Sequence, residues 1–155
     1  MWILLVGEYS RLHNSLKEGL IKLGHDVMLI ATGDYFKDYP ADIKLIRKFD
    51  SGFGKKIKVL LHNLFNIDIT SISLMKQFYS YEDQLRGFDV VQLINESPFG
   101  AAPDEERRIV SYLKENNSKL YLLSCGADHI SVSYALNNNL RYSILDAYLE
   151  GSVNE

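Results

Sequence analysis

The chain has 155 residues, 46% hydrophobic and 24% charged; that size and balance suit one globular domain and fit neither disorder, collagen nor coiled coil. Its 17 Lys and Arg against 20 Asp and Glu leave a formal charge of −3, which argues against a general nucleic-acid binder, normally basic. The single cysteine, Cys125, excludes an internal disulfide and a cysteine-based metal cluster, and the absence of a signal-like opening or a long apolar run points to a cytoplasmic protein.

Trp2 to Val6 is an unbroken apolar run, the mark of a strand buried on both faces. Gly7 ends it. Leu12, Leu16, Leu20 and Leu23 then recur at helical spacing, and Gly24 stands where a helix stop belongs. Val27 to Ala31 is the next strand. Strand, helix and strand in this order form a βαβ unit, which requires a parallel pair.

Thr32 to Pro40 reads as loop, Ile43 to Ile46 as a short strand, and Ser51-Gly52-Phe53-Gly54 as another loop. A helix is predicted next, with Ile57, Leu60, Leu61, Leu64 and Phe65 on one side. A second starts near Thr70, carries Leu74, Phe78, Tyr81 and Leu85 on one stripe, and ends at Gly87. Asp89 to Ile94 is a buried strand. Pro103 suits a helix start, and Asp104, Glu105 and Glu106 suit its positive end. Ile109, Val110 and Leu113 supply that helix's apolar face, and Asn116 and Asn117 stop it. Lys119 to Ser124 is a strand, and Asp128 to Asn139 is helix or loop. The expected fold is an open α/β sheet, mostly parallel, with helices on both faces.

Open α/β sheets bind ligands beyond the carboxyl ends of their strands. That rule selects Gly7 to Asn14, Asn95 to Ala102 and Cys125 to Ser131. In the first loop Tyr9 and Leu12 replace the glycines of a dinucleotide fingerprint, and a tyrosine would occupy the space the phosphate needs. Ser51 to Lys56 fails as a phosphate loop, because Phe49 and Lys56 replace the first Gly and the magnesium-binding hydroxyl. Glu8 and Asn95-Glu96-Ser97 sit at strand ends, where a carboxylate can bind hydroxyls or act as a base; the plain alternative is a solvated loop carboxylate. His13 is placed on the crevice side of the first loop. The four histidines show no metal-ligand spacing, so no metal site is expected.

Cys125-Gly126-Ala127-Asp128-His129 follows a strand like a nucleophile elbow, but Leu123 stands where that motif needs glycine. A buried free cysteine is the plain alternative. Between Lys44 and Lys58, the cations Lys44, Arg47, Lys48, Lys55, Lys56 and Lys58 face one acid, Asp50. The helix that carries Lys55, Lys56 and Lys58 beside Ile57, Leu60 and Leu64 reads either as an ordinary surface helix or as one lying peripherally on an anionic membrane.

Trp2-Ile3-Leu4-Leu5-Val6-Gly7-Glu8-Tyr9-Ser10, Leu23-Gly24-His25-Asp26-Val27, Tyr39-Pro40-Ala41-Asp42-Ile43 and Gly87-Phe88-Asp89-Val90-Val91-Gln92-Leu93-Ile94-Asn95 together resemble the amino-terminal half of a bacterial GT-B glycosyltransferase. The nearest likeness is to the retaining, family-four-like enzymes of polysaccharide gene clusters, and it runs to about Asp146. The resemblance implies a Rossmann-like, acceptor-side domain spanning 1–155. A nucleotide-sugar donor would be held by a second domain with no counterpart here, and catalysis would need no metal. It implies a glycan or lipid-linked acceptor, no cofactor bound by this domain, and no transfer by this chain alone. Gly7, Glu8, Ser10, His13, Asn95 and Ser97 would bind substrate. Asp128, His129 and Glu96 would orient hydroxyls and stabilise charge as the sugar–phosphate bond breaks. Two rivals stand beside it: a stand-alone flavodoxin-like module for a small ligand, and a hydrolase built on Cys125.

Overall fold

The computed structural model describes residues 1–32, 37, 39–123, 129–138 and 145. The chain divides into two compact units, Met1–Leu123 and Ser124–Glu155. The first holds strands β1 (Trp2–Val6), β2 (Asp26–Ala31), β3 (Ile43–Lys44), β4 (Val90–Leu93) and β5 (Leu120–Leu122). Its helices are α1 (Leu12–Lys22), α2 (Gly52–Phe65), α3 (Ile69–Tyr79) and α4 (Pro103–Glu115), with a 3-10 turn at Glu82–Gln84. In the second unit, helix α5 spans His129–Asn137, so the stretch read as helix or loop is helical there.

The five strands form one sheet in the order β3-β2-β1-β4-β5, every pair parallel. This is the Rossmann-like α/β sheet expected from the alternation of elements. The order differs from the 2-1-3-4-5 of flavodoxin-like sheets. The strands all run one way, and it is their sequence order across the sheet that reverses at β1, whose neighbours are β2 and β4. The crevice beyond that reversal is where such sheets take ligands.

Side chains of a strand point alternately to the two faces of its sheet, and the core divides accordingly. Ile3, Leu5 and Leu29 face one way and pack with Leu16 and Leu20 of α1. Leu4, Val6, Ile30, Val91 and Leu93 face the other way and pack with Leu74 and Phe78 of α3 and Ile109 and Leu113 of α4. Helices therefore cover both faces. Phe78 anchors the larger layer, edge-on to Tyr79 at 5.4 Å and to Tyr112 at 5.7 Å between ring centroids. Fully burying a side chain of this size is worth about 1.5–3 kcal/mol.

Two predicted faces are corrected. On α1 the inward stripe is His13, Leu16 and Leu20; Leu12 and Leu23 are exposed. Leu16 and Leu20 keep the expected register, and His13 rather than Leu12 is buried at the start of the helix. On α2 the apolar side is not a core face, and no residue of that helix is fully buried. The long helix expected from Thr70 to Leu85 breaks at Ser80, and the 3-10 turn carries the chain on to bury Leu85.

Gly7 closes β1 with φ +85°, and a Cβ built there would lie 2.5 Å from Ile94 Cγ2, 3.0 Å from Pro98 Cβ and 3.0 Å from Pro98 O. Only glycine lets the ends of β1 and β4 come this close. Gly7→Ala is expected to cost about 2–4 kcal/mol, from left-handed strain plus overpacking. Gly24 shares the positive φ, at +82°, but has nothing within 4 Å, so Gly24→Ala should cost only about 1 kcal/mol. Urea unfolding of both variants checks this; equal midpoint shifts would contradict the close-packing account.

Candidate functional site

Beyond Gly7 the chain turns sharply into α1. Ser10 and Arg11 both adopt the left-handed region, φ 51° and 67°, a conformation that costs a non-glycine residue energy and that gathers at functional turns. Arg11 is the residue before the helix and gives no side-chain cap. Glu8 caps the helix instead. Its Oε2 accepts from the Asn14 backbone N–H at 2.8 Å and from Asn14 Nδ2 at 2.6 Å, placing a carboxylate on the positive end of the helix. Glu8 is only 4% exposed. It is not the solvated loop carboxylate that its position alone suggests.

His13 is completely buried, with Nδ1 2.7 Å from the Gly7 carbonyl oxygen. A carbonyl can only accept, so Nδ1 carries the proton. Burial lowers the pKa of His13, against the opposing pull of the Gly7 carbonyl and the Glu8 charge. The ring is therefore neutral at physiological pH and Nε2 presents a bare lone pair. Glu8 Oε1 and His13 Nε2 are both buried and have no hydrogen-bond partner among the described residues. Both atoms are hydrogen-bond acceptors enclosed within the fold.

The loop after β4 is pinned from several directions. Asn95 Oδ1 accepts from the Ser97 N–H at 3.1 Å. Glu106, on the first turns of α4, accepts at a single oxygen from Phe99 N–H (3.0 Å), Ala101 N–H (2.9 Å) and Ser97 Oγ (3.2 Å). Arg47 Nη1 donates to the carbonyls of Phe99 and Gly100 at 2.9 and 2.7 Å. Ser71 Oγ accepts from Ala102 N–H at 2.7 Å and donates to Asp68. This lattice holds Pro98 against Gly7. Glu106 is 4% exposed, and burial raises its pKa against the hydrogen bonds it receives from Ala101, Phe99 and Ser97. Its Oε2 is the third buried acceptor without a partner among the described residues.

Two polar groups thus flank the Gly7–Pro98 contact. Glu8, His13 and Asn14 lie on the α1 side. Glu96, Ser97 and Glu106 line a cleft of about 570 Å³ beside α4, with Arg107 and Lys114 also on its wall. Of the predicted substrate residues, Gly7, Glu8, His13, Asn95 and Ser97 fall at this junction, while Ser10 is exposed on its rim. Gly7 itself packs closely against Ile94 and Pro98. Glu96, predicted as catalytic, is exposed. Asp128 and Cys125 lie outside the described residues, as does the side chain of His129, whose backbone opens α5.

Asn14, Glu106 and Arg47 were not singled out by the sequence reading as site residues. Glu106 carries a readable signal: it stands three and seven residues before Ile109 and Leu113, both buried, and so belongs to the inward stripe of α4 and not only to its charged end. Arg47 offers no such signal. Its pairing with Asp50 (2.9 Å) and the pair Lys58–Asp50 (2.7 Å) also divide the basic run, for those two cations are engaged within the fold. Partial burial opposes it, but hydrogen bonds from Lys58 and Arg47 hold the Asp50 carboxyl below its ordinary range.

Among the described residues no cluster of three or more His, Cys, Asp or Glu is arranged to hold a metal ion, and no helix is long and apolar enough to cross a membrane. Comparison with protein-family models, with curated proteins and with solved structures finds no match to this chain.

The two shifted groups predict opposite pH effects. Glu106 is raised, so the folded chain holds its proton more tightly and gains stability as pH falls from neutral through the folded value. His13 is lowered, so below about pH 6.5 the unfolded chain takes up the proton first and stability falls. Urea titrations should show the wild type gaining on Glu106→Gln, and losing its lead over His13→Gln, as pH drops from about 7.5 to 5.5. Differences that stay flat with pH would contradict these assignments.

Proposed function

We propose that this chain is the acceptor-side domain of a sugar-transferring enzyme, one that moves a sugar from a nucleotide-sugar donor to a glycan or lipid-linked acceptor. The observation that carries the reading is the pair of buried acceptors, Glu8 Oε1 and His13 Nε2, at the carboxyl end of β1 and next to the loop that follows β4. Sugars are dense in hydroxyl donors. A buried acceptor left unmatched costs about 1–3 kcal/mol, so a ligand hydroxyl admitted to each by opening of the Gly7–Asn14 turn that encloses them would gain both affinity and orientation.

In this reading Glu8 and His13 bind and orient acceptor hydroxyls. The neutral His13, with its proton on Nδ1, is suited to draw a hydroxyl proton toward Nε2, and the nearby Glu8 charge favours the imidazolium that would form. Asn95, Glu96 and Ser97 extend the hydroxyl-binding edge from β4. Asp128 and His129 are proposed, on sequence grounds, to orient hydroxyls and stabilise charge. The donor would be held by a separate domain, as the resemblance to GT-B enzymes implies, and this domain would bind no cofactor of its own.

Saturation-transfer NMR of the chain with a panel of oligosaccharides and soluble lipid-linked sugar analogues tests the proposal. Binding of at least one class is expected, weakened about tenfold or more by Glu8→Gln and by His13→Asn, since each removes one hydrogen bond to a buried group. Glu8→Gln keeps an oxygen for Asn14, so the helix cap survives. No binding by any sugar, or binding indifferent to both substitutions, would overturn it.

A further inference from the structure

Helix α2 leaves its apolar side uncovered. Phe53, Ile57, Leu60 and Leu64 stand four, three and four residues apart and so share one line along the helix, and they are 77%, 37%, 57% and 64% exposed. Val59, 48% exposed, faces outward nearby. The inner side is what ties the helix down: Gly54 packs against Phe49, Leu61 is half-buried, and Lys58 reaches Asp50. A surface helix of a globular protein normally turns its apolar stripe inward; this one turns it out while held at a fixed angle.

The charge on the helix says what the stripe meets. Gly52–Phe65 contains three lysines, one histidine and no acid, in a chain of net charge −3. Lys58 is paired with Asp50, whereas Lys55 and Lys56 have no ion pair among the described residues. At about 100° per residue, Lys56 falls beside the apolar line and Lys55 beyond Val59, both on the outward surface. A partner helix is commonly matched by flanking charges of both signs, which α2 lacks. Two copies of α2 would bring lysines toward lysines with no acid between them. A uniformly negative, deformable surface matches both features at once.

We infer that α2 is an interfacial helix that lays Phe53, Ile57, Leu60 and Leu64 into the surface of an anionic lipid bilayer, with Lys55 and Lys56 against the headgroup phosphates. Its 14 residues give a length of about 21 Å, short of the ~30 Å hydrocarbon core, so the helix lies on the membrane and does not span it. The long lysine stems cover apolar surface while their ammonium groups stay at headgroup level. The inference rests on α2 alone and stands whether or not the crevice binds sugars.

Co-sedimentation of the chain with vesicles tests it, comparing phosphatidylcholine alone with phosphatidylcholine containing phosphatidylglycerol. Binding is expected only to the anionic vesicles. It should be lost at about 0.5 M salt, where screening shortens to roughly 4 Å. Lys55→Gln/Lys56→Gln should weaken it about thirtyfold, and Leu60→Ser/Leu64→Ser should weaken it at least as much at unchanged salt, with far-UV circular dichroism confirming each fold. These positions are exposed, so both variants should fold, and either one alone suffices for the comparison. Equal binding to neutral and anionic vesicles would overturn the inference. So would no vesicle binding, including the case of a dimer in solution that the leucine substitutions dissociate, which would make a second copy the occupant.

Discussion

The approach of Gly7 to Ile94 and Pro98 is the constraint on which the rest of the site depends. It brings the ends of β1 and β4 together where the strand order reverses, closer than any side chain at position 7 allows. Two consequences follow. The loop after β4 must be held rigid against Gly7, and Glu106, Arg47 and Ser71 hold it through its N–H and C=O groups. The chain leaving Gly7 must also turn at once, which puts Ser10 and Arg11 into the left-handed region and makes the Gly7 carbonyl available to His13.

The turn explains why two ionisable side chains are buried at its base. Arg11 cannot cap α1, so Glu8 does so from the strand side, and its carboxylate is drawn inside. His13, one turn into the helix, then occupies the space over the Gly7 carbonyl that an apolar residue would fill in an ordinary α/β crossover. Each group spends one side of its hydrogen-bonding capacity on the fold and keeps the other. Stability alone would favour apolar residues at these buried positions, so their polar chemistry at the carboxyl end of β1 is the reason we propose a binding role for them.

Strand and helix order were readable from the sequence because β1 is an unbroken apolar run, β2 is apolar after Asp26, β4 is apolar but for Gln92, and α4 has both its proline start and its acidic first turn. The loops at the sheet's carboxyl edge followed from the general rule for such sheets. What periodicity cannot supply is whether a partner exists for an apolar face. α2 and α3 carry similar stripes, yet Leu74 and Phe78 are sealed while Phe53 and Leu60 are not. Leu12 and His13 show the same limit at single-residue scale: the leucine repeat points to Leu12 as inward, and it is His13 that is buried. The burial of Glu8 and the clamp from Arg47, fifty-two residues from Phe99, depend on tertiary contacts that spacing along the chain does not encode.

Sugar-binding chemistry at the β1–β4 crevice is the central claim, and its most direct test is where a bound oligosaccharide perturbs the backbone. In a ¹H–¹⁵N correlation spectrum the account predicts that the largest shifts fall on Gly7 to Asn14 and Ile94 to Gly100. Shifts centred elsewhere, on α2 or the amino-terminal edge of the sheet, would contradict it.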